Sequence, residues 1–161
     1  MTEGPLLPPQ HRVERRAIGW WALRTVATTA VAAGVLLVAY LIFEWSWLVP
    51  VLIVVAAFGV AHLVVTPWWR YAVHRWEVTE DAVYVCTGWF VREWRIAPIS
   101  RVQTVDTVRG PIQQALGLAT VTVTTASAHG PVALVGLDHQ AATEIARDLA
   151  AVTQATPGDA T

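Results

Sequence analysis

Two uncharged apolar runs, separated by four residues, decide what this chain can be. The first, VATTAVAAGVLLVAYLIF, runs from Val26 to Phe43, and Leu23 to Trp45 extends it. The second, LVPVLIVVAAFGVAHLVVTPWW, runs from Leu48 to Trp69, with His62 as its one ionisable group. A helix rises about 1.5 Å per residue and a bilayer core is about 30 Å thick, so each run is long enough to cross. The EWSW between them (Glu44–Trp47) allows only a tight turn, which makes the spans antiparallel neighbours. A cleaved secretory signal fits poorly. The first run exceeds the usual h-region of about 7–15 residues, follows a polar leader, and leads into a second span without a small-residue cleavage site.

Composition agrees with this. Of 161 residues, 55% are hydrophobic and 14% charged, whereas soluble domains carry about 25% charged residues. Six of the nine tryptophans bracket the spans: Trp20 and Trp21 before the first, Trp45 and Trp47 in the turn, Trp68 and Trp69 at the end of the second. Indole favours the headgroup zone, where its apolar body and its N–H can both be satisfied. Arg12, Arg15, Arg16 and Arg24 precede the first span, Arg70 and Arg75 follow the second, and the turn holds only Glu44. Positive residues stay inside, so both termini are expected in the cytoplasm, with the chain a multi-pass protein of the cytoplasmic membrane. Small residues at helical spacing, Ala30 with Gly34 and Ala57 with Ala61, are expected to form the contact between the spans. His62 is expected as a neutral side chain bonded to the partner helix or to headgroups.

The expected organisation is a cytoplasmic leader (1–21), a transmembrane hairpin (22–69, spans at about 23–43 and 48–68), a mainly-β cytoplasmic domain (70–155) and a disordered tail (156–161). After Arg70 the pattern changes to short alternating runs. Strands are predicted over Tyr71–Val78, Ala82–Thr87, Trp89–Ala97, Ser100–Thr107, Leu118–Thr125 and Pro131–Gly136, with Gly88 at a hairpin turn. Gly110 to Gly117 reads as a short helix with Pro111 in its first turn and Gly117 as its stop. Asp138 is the expected N-cap of a closing helix whose apolar face is Ala142, Ile145, Ala146, Leu149 and Val152.

Several function classes fall away. The net charge of −1 provides no basic field for nucleic acid. All eleven basic residues are Arg, a genome-wide composition bias rather than a phosphate signal. A single cysteine, Cys86, excludes an intrachain disulfide and a cysteine-cluster metal site. No P-loop, dinucleotide glycine pattern or nucleophile elbow occurs, and His129, Asp138 and His139 lack a ligand spacing. No catalytic residue, metal, cofactor or small-molecule substrate is expected.

The segment PISRVQTVDTVRGPIQQALGLATVTVTTA (Pro98–Ala126), placed after a membrane hairpin, resembles the YdbS-like bacterial pleckstrin-homology-domain proteins. The shared text is Arg101, Val102 and Gln103, then Gly110 and Pro111, then Gly117 and Leu118, and a strand ending in Thr125 and Ala126. The resemblance spans about Pro8 to Val152. It implies a PH-like barrel of two antiparallel sheets capped by a C-terminal amphipathic helix. It implies no catalysis, but a membrane-anchored binding or assembly module for other membrane proteins. The candidate partners are a larger multi-domain PH-like relative and a second copy of the chain. The family commonly has a basic residue in the short helix; here that stretch is QQALG, with Gln113 and Gln114. On the residues alone, Arg101 and Gln103 read as structural at a domain corner, with a binding edge as the alternative. An alternative function is binding of anionic lipid headgroups. Residues 70–161 carry seven Arg against nine acidic residues, so this would need a local patch. Arg70, Arg75, Trp89, Phe90, Arg92, Trp94 and Arg95 are the candidate membrane-facing or partner-binding patch, and Phe90 and Trp94 have a competing reading as domain core.

Overall fold

The structure, a computed structural model, describes residues 9–88, 91–126 and 130–155. Two long helices, α1 (Arg16–Phe43) and α2 (Leu48–Val73), form an antiparallel hairpin. Both are apolar enough to cross a membrane. Glu44 reverses the chain in the left-handed conformation. Phe43, Trp45 and Trp47 stack in series at the tip, with ring centroids 4.8 and 5.9 Å apart. Pro50 lies in the first turn of α2, where its missing N–H costs little. The helices do not meet through Ala30 and Gly34 or Ala57 and Ala61. Ala30, Ala57 and Ala61 are exposed, and nothing lies within 4 Å of a Cβ placed on Gly34. The close approach is Gly59 against Thr29, where an added Cβ would clash with Thr29 Cγ2. His62 Nδ1 lies 3.4 Å from Thr25 Oγ1 on α1, a contact with the partner helix.

α2 continues past the apolar run. Tyr71, Ala72 and Val73 are helical, although their sequence alternates as a strand would. An established helix adds one hydrogen bond per residue without a new nucleation cost, and Arg70 in the last turn suits the negative helix end. The strand starts only after His74, whose extended backbone ends the helix. The β elements are β1 (His11–Arg12), β2 (Arg75–Val78), β3 (Ala82–Gly88), β4 (Arg92–Pro98), β5 (Val102–Val108), β6 (Leu118–Thr125) and β7 (Val132–Asp138). A single 3-10 turn, Ile99–Arg101, joins β4 to β5, and a short helix, α3 (Pro111–Ala115), joins β5 to β6. α4 (His139–Ala155) closes the fold. The expected disordered tail lies outside the described residues, as does His129.

The two antiparallel sheets are β1-β2-β3-β4 and β5-β6-β7. This is the expected PH-like pair of sheets with a C-terminal helix. Among the described residues the two sheets do not join into a closed barrel. The main core lies between them: Val83 and Val85 from one, Val121, Val123 and Leu134 from the other, with Leu149 of α4 against it. In β6 the alternation works as written, Val121 and Val123 facing in and Thr120, Thr122 and Thr124 half-exposed.

The leader is part of the domain. His11 and Arg12 pair with Trp76 and Arg75 of β2, and α1 starts at Arg16 rather than near residue 22. A second core then forms where helix meets domain, from Val13, Ala17, Trp21 and Leu118. A bulge in β7 makes room for it. Val135 and Gly136 together oppose Thr120, between the Ala119↔Leu137 and Val121↔Leu134 pairs. Gly136 has φ +73°, and a Cβ there would lie 2.9 Å from that of Ala17. The Gly136 carbonyl accepts the Glu14 N–H at 3.0 Å.

Candidate functional site

The family segment builds the corner beneath α1. Gly110 N–H donates to Gln113 Oε1 at 2.9 Å, and Gln113 Nε2 donates to Thr120 Oγ1 at 2.9 Å. Gln113 is buried. A basic side chain there would be a charge without water, whereas Gln113 makes a neutral, satisfied hydrogen-bond bridge. Pro111 opens α3, Gly117 closes it at φ +66°, and Leu118 is fully buried. Arg109 Nε donates to the Leu118 carbonyl at 3.1 Å. Arg101 is exposed in the 3-10 turn, and its carbonyl accepts the Ala126 N–H at 3.3 Å. Val102 is buried and Gln103 exposed, beside a register shift between β5 and β6.

Arg16 clamps helix to domain. It donates to the Leu116 carbonyl and to Asp138 Oδ2. Asp138 Oδ1 accepts the Gln140 N–H at 2.9 Å, capping α4 as its sequence position suggests. The guanidinium of Arg16 holds the Asp138 carboxyl below its ordinary range. Asp138 is therefore engaged as a cap and ion-pair partner.

Of the seven patch residues five are described, and these five do not share one surface. Trp89 and Phe90 lie outside the described residues. Arg92 and Trp94 alternate onto one face of β4, and Arg95 onto the other. Arg75, Cys86 and Trp94 are side by side across β2, β3 and β4, and with Arg92, Ala72 and Val73 they line a 220 Å³ concavity beside the end of α2. Burial raises the Cys86 thiol pKa, and the Arg92 and Arg75 charges partly oppose it. Arg95 instead donates to the Pro131 carbonyl at 3.3 Å and to Glu93 at 3.4 Å. Trp94 is 41% exposed and is not part of the core. Trp94 and Ile96 also border a 530 Å³ groove that reaches Arg101, Thr125 and Val132.

Arg70 belongs to a different place. It lies 5.9 Å over the ring of Trp21, and it lines a 480 Å³ cavity with Trp20, Arg24 and His74. Arg24 and His74 were not among the expected site residues. Reading the leader as helical places Arg24 one turn beyond Trp20 and Trp21 and makes it visible. His74 Nδ1–H donates to the Arg70 carbonyl at 2.9 Å, and its ring lies 5.3 Å from that of Trp21. Burial lowers the His74 pKa, and the Arg70 charge adds to that. The six bracketing tryptophans divide. Trp45, Trp47, Trp68 and Trp69 are exposed, Trp20 is half-buried, and Trp21 is 3% exposed within the helix–domain core.

The bacterial PH domain family matches residues 21–153. The chain is also similar to the UPF0699 transmembrane protein YdbS of Bacillus subtilis (strain 168), with 31% identity over 124 residues, covering 74% of this chain and 78% of that protein. No solved structure matches. The matched region takes in most of α1, all of α2 and every strand but β1. With two apolar helices and a relative named as transmembrane, this is a membrane protein, and it belongs to the bacterial PH domain family.

Proposed function

We propose that this chain is a non-enzymatic, membrane-anchored module that binds and assembles with another membrane protein at the inner face of the cytoplasmic membrane. The observation that carries the reading is the state of β4. Among the described residues it ends its sheet in the order β1-β2-β3-β4, with Trp94 and Ile96 exposed along it and Val91 exposed just before it. An open strand edge with apolar side chains is a template for an added strand or a docked partner. The hairpin holds that edge near the bilayer, where a membrane protein would meet it. A larger relative with several such domains and a second copy of this chain are the leading partners.

The test is photocrosslinking in native membranes, with a benzoylphenylalanine at Trp94 in the full chain and a control at Arg147 on α4. A membrane-protein adduct from Trp94 only is the expected result, lost when Ile96→Lys charges the edge. No adduct from Trp94, together with solitary behaviour in every mild detergent, would refute the reading. A second reading, binding of anionic headgroups, draws support from local clusters such as Arg75, Arg92 and Trp94 beside the end of α2.

A further inference from the structure

We propose that the cavity between the cytoplasmic ends of α1 and α2 and the PH domain binds a phosphate group, that of an anionic phospholipid headgroup. The inference deepens the headgroup reading and is independent of the β4 edge.

Three observations meet there. The first is charge. Arg24 and Arg70 both line the cavity, and among the described residues no carboxylate does. Among the described residues neither arginine forms an ion pair. They are close enough to repel each other, and Arg70 is partly withdrawn from water. Two such positive charges cost free energy when empty and are stabilised by an anion. A guanidinium fork matches phosphate oxygens in pairs.

The second is the polarity of the wall. Gln113 Oε1 accepts the Gly110 N–H, so Gln113 Nε2 is the donor and Thr120 Oγ1 the acceptor. Thr120 also lines the cavity, and its hydroxyl, which accepts from Gln113, keeps its own proton to donate. The charged and hydroxyl groups of the wall are thus set to donate.

The third is depth. Arg24 and Phe43, the last residue of α1, lie nineteen positions apart, and at 1.5 Å each that is about 29 Å, close to one hydrocarbon thickness. Arg24 and Arg70 therefore lie at headgroup level when Trp45 and Trp47 lie at the opposite interface. Leu23, Val26 and Trp69 beside them are exposed, as a lipid-facing surface would be. The cavity, 480 Å³, has room for a glycerophosphate.

The experiment uses the full chain in a neutral detergent and follows thermal unfolding as dioleoylphosphatidylglycerol, dioleoylphosphatidylcholine or inorganic phosphate is titrated in. The expected result is a saturable stabilisation by phosphatidylglycerol that weakens with salt, with none from phosphatidylcholine. Arg70→Gln should weaken the apparent affinity by about tenfold, in line with the loss of one charged hydrogen-bond pair, and Arg24→Gln with Arg70→Gln should abolish it. An equal response to inorganic phosphate keeps the site but makes its ligand a soluble phosphate. If the double variant responds as the parent does, lipid binding survives elsewhere and this site is refuted. If no titrant acts on the parent, both the site and the headgroup reading fail. Should the double variant not fold, native mass spectrometry of the parent decides. Retained phosphatidylglycerol that is displaced by salt supports the site, and its absence overturns it.

Discussion

Trp21→Ala separates a tryptophan that anchors a domain from one that merely meets lipid. A buried tryptophan removes about 200 Å² from water, about 5 kcal/mol at 25 cal/mol per Å², and Trp→Ala in cores costs about 3–5 kcal/mol. Trp21 is 3% exposed and packs with Val13, Ala17 and Leu118. Its ring also meets His74 and lies under Arg70. The full cost is therefore expected, against a total stability of about 5–15 kcal/mol. At about 4 °C or more per kcal/mol for a domain of this size, the melting temperature falls by over about 10 °C. Trp68, 65% exposed on α2, is the control, and Trp68→Ala should cost under about 1 kcal/mol, as surface changes do. Thermal unfolding of the detergent-solubilised full chain gives the magnitude, and limited proteolysis reports whether the junction opens. Equal, small shifts for both variants would refute the helix–domain core.

Gly59→Ala forces the helices apart at Thr29 and should cost about 1–3 kcal/mol. Adding Thr29→Ala should restore most of the loss, since the clash is with that side chain, and a double-mutant cycle by thermal unfolding measures the coupling. Gln113→Ala leaves the Gly110 N–H without its acceptor and should destabilise by about 1–3 kcal/mol, read as a lower denaturation midpoint. His74 is held below its ordinary value of 6.5, so above that pH it is neutral folded or unfolded and has no effect. As pH falls below about 6.5 the unfolded chain takes a proton that the native state resists, and stability drops. His74→Gln should flatten this part of a melting profile taken from pH 7.5 to 5.

The long-period features of this fold are visible in the residues alone. Two apolar runs define the hairpin, the Thr–Val alternation defines β6, and Asp138 with its apolar stripe defines α4. What stays hidden depends on partners distant in sequence. His11–Arg12 is too short to carry a period and becomes a strand only because β2 lies beside it. Tyr71–Val73 alternates like a strand, yet the helix before it decides. Trp21 has the same sequence signature as Trp68, and only docking against Ala17 and Leu118 tells them apart. The arginine patch looks contiguous in the text, but strand alternation turns Arg95 away from Arg92, and the helix takes Arg70 to another cavity. Arg24 and His74 join that cavity from the two arms of the hairpin, fifty positions apart in sequence, a proximity no local pattern encodes.

The pairing of β1 with β2 ties together segments that the ribosome makes before and after both membrane crossings. The folded unit is therefore discontinuous, and a fragment starting at Arg70 would lack a strand and bare Leu118 and Gly136. Completion must wait until the second helix has returned the chain to the side where residues 9–15 were left. A single crossing, or three, would place β1 and β2 in different compartments. The strand pair thus acts as a lock on even-numbered topology, separate from any count of arginines.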